Sequence, residues 1–444
     1  MKITEKLAVF FAVVSLFTSG AHSQDKRVLL LDEAVSKALA SNPRLVAARL
    51  EAVAAKLRKE QAFANHFGEI NIVGNYNHYE RDRILVPMAV DLFKDPALGM
   101  SQLPWDRNQS HYGLSFTLPL LAGGAFHEGD SIARLFESSA DNISLFTRDE
   151  TVYNVKSAYR GALALKHALD AAAALRSALE KDNEDYRLRL SLGQVAKVDA
   201  QKVEFACEGA KSQYEDISAQ YANAMNLLSA LLGEEPGENV YELEDISEVP
   251  AAPLLNYDEK ALVLSRKDFL AQMDATKVAE HKKHLALAAF SPQLVLQGTY
   301  MKNSAPSITE NLYTREWLVA VKIPLFNGLK RVRAVQESSI NLEIAKEKEK
   351  AKRLEIETQI ANAGQQLRAT EALYRSGIAQ RELGREIARV EKLKLDQGNG
   401  NMEDYLSARA HELQGETYYW RSLYAFQNAV DYFNFVCASQ ESRN

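Results

Sequence analysis

Few side chains in this sequence stand at spacings that could do chemistry. His281 and His284 lie three apart on a predicted helix, which puts two imidazoles on one face, and such a pair can bind a metal ion. No third ligand is evident beside them, so the pair reads as part of a polar helix face and no metal site is expected. Cys207 and Cys437 are the 2 cysteines of the chain, too few for a disulfide scaffold or a structural zinc site. One disulfide or two buried free thiols would both fit. No Walker loop, Gly-x-Ser-x-Gly elbow or His-Glu-x-x-His is present, so the sequence indicates no catalytic residue and no cofactor. The remaining candidates are carboxylates beside glycines. Asp199 follows Gly193 and Asp404 follows Gly398 at the same spacing, and Asp396 precedes Gly398 by two residues. An aspartate just after such a glycine, as at Asp404, is what a helix N-terminus favours through its dipole and its capping geometry.

The elements that must position these groups are long. None of the 11 prolines falls between residues 120 and 235, and none after 324. Proline inside a helix removes a donor and clashes with the preceding turn, so two such blocks rich in Ala, Leu, Glu, Lys and Arg predict helices. Val152, Val155, Tyr159, Ala162, Lys166, Leu169 and Ala173 recur at 3/4 spacing, a coiled-coil-like seam with one charged interruption. Each block breaks once, near Gly193 and near Gly398-Asn399-Gly400, which predicts two long helical hairpins. A helix from about 127 to 190 would run on the order of 95 Å, more than a globular core needs.

Four short segments alternate instead with period two: residues 70–77, 112–120, 293–300 and 317–325. Each has one apolar and one mostly polar face, as in a transmembrane barrel or a half-buried sheet. Four strands cannot close a barrel of useful bore, so if they face lipid several chains must contribute. Residues 80–109 and 302–315 are expected to be the loops joining these strands, the first one unusually apolar.

The chain has 53 basic and 59 acidic residues and a net charge of −6, which argues against a nucleic-acid partner. Residues 1–6 are positive, residues 7–17 are apolar, and Ala21-His22-Ser23 offers a small-x-small cleavage pattern. Residues 1–23 therefore read as a secretory signal peptide, too short for a bilayer span.

The chain also repeats internally. Leu118-Pro119-Leu120-Leu121-Ala122-Gly123-Gly124 resembles Ile323-Pro324-Leu325-Phe326-Asn327-Gly328-Leu329, and the same offset carries Gly193 to Gly398 and Asp199 to Asp404. Tyr76 pairs with Tyr300, and Asn42-Pro43 with Arg266-Lys267, at a second, larger offset. A tandem duplication of helix, strand, loop, strand and helical hairpin follows. The expected domains are 24–232 as the first repeat, 233–256 as an acidic linker and 257–444 as the second repeat. The linker reads as an ordinary solvated segment or as a docking element.

The segment Leu31-Asp32-Glu33-Ala34-Val35, continuing to Ala38-Leu39-Ala40-Ser41-Asn42-Pro43, is similar to the opening of mature TolC-like outer membrane efflux proteins. Residues 118–124 resemble that family's strand-to-helix motif, and the two Gly-x5-Asp tips resemble its periplasmic hairpin ends. The resemblance covers essentially all of the mature chain. It implies a mostly α fold with β: duplicated helical hairpins forming an α-helical tunnel, plus four strands per protomer in a trimeric 12-stranded outer-membrane β-barrel. It implies a homotrimer in the bacterial outer membrane with its helical part in the periplasm. The implied role is a passive exit duct, not an enzyme, in a tripartite efflux or type I secretion system with a periplasmic adaptor (membrane fusion) protein and an inner-membrane pump. Asp404 matches a carboxylate at the family's periplasmic entrance, and Asp199 matches a tip aspartate that helps hold the aperture closed. The Tyr and Arg that pair with the latter are Leu395 and Gly400 here, and Asp396 is the candidate to compensate. Gly193, Gln194, Val195, Gly398, Asn399 and Gly400 match the tips that meet the adaptor. The competing class is a soluble periplasmic coiled-coil adaptor or interaction protein whose strands form a small sheet.

Overall fold

The computed structural model describes residues 27–86, 103–235 and 258–437, with 237, 241–246, 249–251 and 253 of the intervening segment. The signal peptide lies outside the described residues, as does the segment from 87 to 102. The order of elements is β1 (Arg27–Leu29), α1 (Leu31–Ser41), α2 (Pro43–Ala64), β2 (Glu69–Ile84), β3 (Trp105–Ala122), α3 (Ala125–Ser191) and α4 (Lys197–Leu232). There follow β4 (Tyr241–Leu243), α5 (Glu259–Ser265), α6 (Lys267–Ala288), β5 (Gln293–Ala305), β6 (Ile308–Lys322), α7 (Lys330–Asp396) and α8 (Met402–Val436).

The element boundaries carry the two offsets seen in the sequence. The long helices α3 and α7 both have 67 residues, and they begin at Ala125 and Lys330 and end at Ser191 and Asp396. At 1.5 Å per residue each is about 100 Å long. Helices α2 and α6 both have 22 residues, so the larger offset also recurs. The chain falls into two compact units, and neither follows the sequence halves. One takes residues 1–43, 151–253 and 366–432, the other 44–150, 254–365 and 433–444.

In the first unit the core forms where the 3/4 seam of α3 meets the chain's short parallel pair. Val155, Tyr159, Leu163, Leu228, Leu232 and Leu29 are fully buried together, with Leu243 and Tyr424 against them. Strands β1 and β4 pair in parallel, Arg27 to Leu29 against Tyr241 to Leu243. The Tyr159 hydroxyl donates to the Leu29 carbonyl (2.5 Å) and accepts from the Glu244 N–H (2.9 Å). Lys166, the charged interruption of the seam, donates to the Leu243 carbonyl at 2.9 Å. The acidic segment is thus not simply a solvated linker. Its Tyr241 and Leu243 are buried, because a short strand there satisfies β1 and covers the seam.

The second unit holds a four-stranded antiparallel sheet in the order β2-β3-β5-β6. Its strands are longer than the alternating segments of the sequence. Lys302, Asn303 and Ala305 pair with Tyr313, Leu312 and Ile308, so the expected loop at 302–315 is a tight hairpin. In the first hairpin, β2 continues to Ile84 and β3 resumes at Trp105, where Leu85 and Val86 pack against Ala305, Ile308 and Leu312. Pro119 sits inside β3 beside a register shift, where a missing N–H is tolerated. Position 329 has a positive φ of 66°, the counterpart of Gly124 with φ 90° in the first repeat. A charge cluster also lies in this unit. Arg266 grips Asp268 at 2.8 and 2.9 Å and Gln359 at 2.8 Å, and Lys352 reaches Asp268 at 3.1 Å.

Candidate functional site

Three surfaces carry the candidate residues. The first comprises the two hairpin tips, which are built alike. At the first tip the Gly193 N–H bonds the Leu190 carbonyl (3.0 Å) and the Gln194 N–H bonds the Arg189 carbonyl (2.8 Å). At the second, Gly398 bonds Leu395 (3.0 Å) and Asn399 bonds Lys394 (2.9 Å). Both are Schellman closures with glycine in the left-handed conformation, φ 69° and 74°. Nothing would crowd a Cβ at either glycine, so backbone conformation alone demands glycine there. Gln194, Asn399 and Gly400 complete the same turns, and Val195 is half-buried.

The three aspartates fall around these turns. Asp396 is the last residue of α7, Asp404 lies in the first turn of α8, and Asp199 lies in the first turn of α4. Asp404 is part of an N-terminal cap. Its N–H donates to Asn401 Oδ1 (2.8 Å), and its carboxylate accepts from Asn401 Nδ2 (2.6 Å). Its carboxylate nevertheless remains exposed. Leu395, where the family pattern has Tyr, packs against the buried trio Val203, Met402 and Tyr405.

Tyr405 was not singled out by the sequence, since a lone tyrosine in a helix announces no partner. Its ring is 2% exposed, and its hydroxyl donates to Asp182 Oδ2 on α3 at 2.8 Å. Burial first, and the Asp182 bond second, push the phenol pKa well above the ordinary value. A second ionic link, Lys202 to Glu403 at 3.1 Å, joins α4 to α8. Leu188, Leu192, Val198 and Phe205 expose apolar surface around the first tip, another feature the sequence reading missed.

The second surface is the sheet. The register places Ile72, Leu114 and Tyr300 in one row, and Gly298 beside both Phe116 and Trp317. The face so formed also carries Leu296 and Val319. It is bare: Ile72 is 87% exposed, Trp317 73% and Val319 60%. Toward the hairpin ends this face turns to Tyr112, Tyr300 and Tyr313, with Lys302 over the Tyr112 ring and Arg315 over the Tyr300 ring. The other face carries Asn71, Asn75, Ser115, Thr117, Gln297, Thr299 and Glu316. Among the described residues the outer edges of β2 and β6 have no partner strand.

The third surface lies where α3 begins. His281 Nδ1 is 2.7 Å and His284 Nδ1 3.7 Å from the same oxygen of Glu128, Oε2. The third group that the histidine pair lacked in the sequence therefore exists, supplied by a residue 153 positions away. The cysteines are both free and buried; burial raises both thiols, Cys437 to about 11. Among the described residues no helix is long and apolar enough to cross a membrane.

Solved structures share this architecture. A membrane protein of Pseudomonas aeruginosa aligns with a TM-score of 0.78 at 18% identity, over 91% of this chain and 92% of that one. The outer membrane protein VceC of Vibrio cholerae aligns with a TM-score of 0.73 at 16% identity, over 91% and 95%. The CmeC outer membrane channel of Campylobacter jejuni aligns with a TM-score of 0.76 at 15% identity, over 92% and 85%. This chain has the fold of those membrane proteins. The mostly α fold with β that the TolC resemblance implies is thus the fold observed. No protein-family model and no curated protein matches the sequence.

Proposed function

We propose that the protein is a trimeric exit duct of the bacterial outer membrane. Three copies would close their sheets edge to edge into a 12-stranded barrel, with the helices in the periplasm. One observation carries this reading: a sheet apolar and bare on one face, polar on the other, with two long edges that no strand pairs among the described residues. In water such edges and such a face would drive aggregation. In a closed barrel the edges pair, the apolar face meets lipid, and the polar face lines a lumen. The apolar row from Tyr112 to Leu120 on β3 rises about 26 Å along the strand, or about 20 Å at a 40° tilt, close to the lipid-facing band of such barrels. The Tyr, Lys and Arg side chains toward the hairpin ends suit the membrane interface.

The duct conducts passively, with no catalytic step of its own. Its partners are a periplasmic adaptor and an inner-membrane pump, and its cargo belongs to tripartite efflux or type I secretion. The adaptor's contact is the pair of hairpin tips, Gly193 to Val195 and Gly398 to Gly400, with exposed Leu188, Leu192, Val198 and Phe205 as apolar anchors. Asp404 forms a ring of three carboxylates at the periplasmic entrance, with Asp199 and Asp396 beside it. Asn401 fixes the backbone of Asp404 and leaves its charge toward water. The soluble-adaptor alternative would leave the apolar sheet face in water, which weighs against it.

Single-channel recording in planar bilayers tests both levels. The wild-type protein should give a discrete conductance with cation preference, and that preference should fall in Asp404→Ala. Unchanged selectivity would remove Asp404 from the entrance. A protein that stays monomeric and soluble without detergent, and does not conduct, would overturn the duct.

A further inference from the structure

The convergence of two imidazoles and a carboxylate at the start of α3 is unused by the duct. We propose that Glu128, His281 and His284 form a binding site for a divalent transition-metal ion of the zinc type. The ligand atoms of the three residues all lie within 4.8 Å of one another. Both histidines bring Nδ1 close to one and the same carboxylate oxygen, His281 at hydrogen-bond distance (2.7 Å) and His284 at 3.7 Å. Their rings stand perpendicular, at 88°, with centroids 6.1 Å apart, so they cannot stack on each other.

Tetrahedral coordination with metal–ligand bonds of about 2.05 Å separates neighbouring ligand atoms by about 3.4 Å. The Glu128 to His281 distance must therefore open by about 0.7 Å, and Glu128 to His284 must close by about 0.3 Å. The imidazole nitrogens must approach by at most about 1.4 Å. His284 can supply most of this movement, because its side chain is 48% exposed. Glu128 is mostly buried and supplies the fixed anionic ligand. Two imidazoles and one carboxylate leave a fourth position for water and suit Zn²⁺, Ni²⁺ or Cu²⁺ better than Mg²⁺ or Ca²⁺.

The alternative is a plain histidine–carboxylate hydrogen bond on an acid favoured by the first turn of α3. That accounts for His281. It does not account for a second imidazole nitrogen brought within 3.7 Å of the same oxygen from one helical turn away. The other nearby pair, His66 with Asp130 at 2.8 Å, has only two such groups and serves as the internal control.

The test is Zn²⁺ titration by calorimetry of the full detergent-purified protein, made without a polyhistidine tag and stripped with chelator. One ion per chain is expected. His284→Ala and His281→Gln should each weaken binding by about tenfold or more, Glu128→Gln likewise, while His66→Ala should leave it unchanged. Co²⁺ should give a tetrahedral visible spectrum in the wild type that is lost in His284→Ala, the variant least able to disturb folding. Absence of saturable Zn²⁺ binding, equal affinity in His284→Ala, or loss that follows His66→Ala would each overturn the site.

Discussion

Tyr405 offers the sharpest test of how the tips are held. Replacing it with Phe deletes one oxygen and leaves the ring in its pocket against Val203, Met402 and Leu395. A hydrogen bond to a charged group contributes about 1.5–3 kcal/mol. Asp182 is only half-buried and regains water when its donor is lost, so the net cost falls to about 1–2 kcal/mol. That equals about a 5- to 30-fold rise in local opening, at 1.4 kcal/mol per tenfold. The phenol pKa is raised in the folded state, so its contribution is fully present below the ordinary value of 10.0 and is lost only as pH rises beyond it. The bond is therefore intact at neutral pH. Hydrogen exchange of peptides covering 182–203 and 395–406 should quicken by that factor in Tyr405→Phe, with sheet peptides unchanged. The double variant Tyr405→Phe with Asp182→Asn should be no looser than Tyr405→Phe alone, because both changes remove the same interaction. In the bilayer the single variant should spend more time open. Exchange altered less than about twofold would refute the reasoning and assign tip closure to the packing of Val203 and Met402 instead.

Three further outcomes follow from the same structure. Val319→Lys, on the bare face of β6, should cost about 2–4 kcal/mol and deplete assembled protein in the membrane fraction, while Ala320→Lys on the polar face should be tolerated. The reverse pattern would mean that the sheet faces are assigned backwards. Burial raises the Asp268 carboxyl, but Arg266 and Lys352 outweigh it and hold the pKa below the ordinary 3.8. The stability this provides is present above that value and lost as pH falls through the lower folded value. Asp268→Asn should thus cost about 3 kcal/mol at pH 7 in a denaturant melt, with the gap to wild type narrowing in strong acid. Leu329→Gly should raise the melting midpoint slightly, by about 0.5–1 kcal/mol of stability, since it relieves a left-handed leucine at some cost in unfolded-chain entropy.

The long helices were legible because proline placement and 3/4 spacing act along one chain segment, and Gly193 and Gly398 mark their ends. The strands were legible only where alternation is apolar. Beyond Tyr76 the residues His78 to Ile84 are almost all polar, and beyond Tyr300 so are Lys302 and Asn303. Backbone pairing continues there with no apolar row to announce it. The cap on Asp404 was readable in principle as Asn401-x-x-Asp404, an N-cap residue with an acid three positions on. The burial of Tyr241 and Leu243 was not, because three residues of strand inside an acidic run carry too little pattern.

What could not be read at all is chemistry that joins the two repeats, and the duplication explains why. The repeated backbone constrains element lengths, so α3 and α7 remain equal at 67 residues. It constrains side chains only where a turn or a core demands them. Tyr405 and Asp182 correspond to Ala200 and Ile387 in the other copy, and His281, His284 and Glu128 correspond to Leu57, Glu60 and Arg333. Each contact is therefore made once per chain, between elements of different repeats, where neither period nor repeat offset leaves a trace. A ring of three copies would then carry three such tip bonds and three such ligand sets, where a ring built from six equivalent repeats would carry six. If Zn²⁺ binds at one per chain and Tyr405→Phe loosens both tips, the asymmetry between the repeats is functional and not drift.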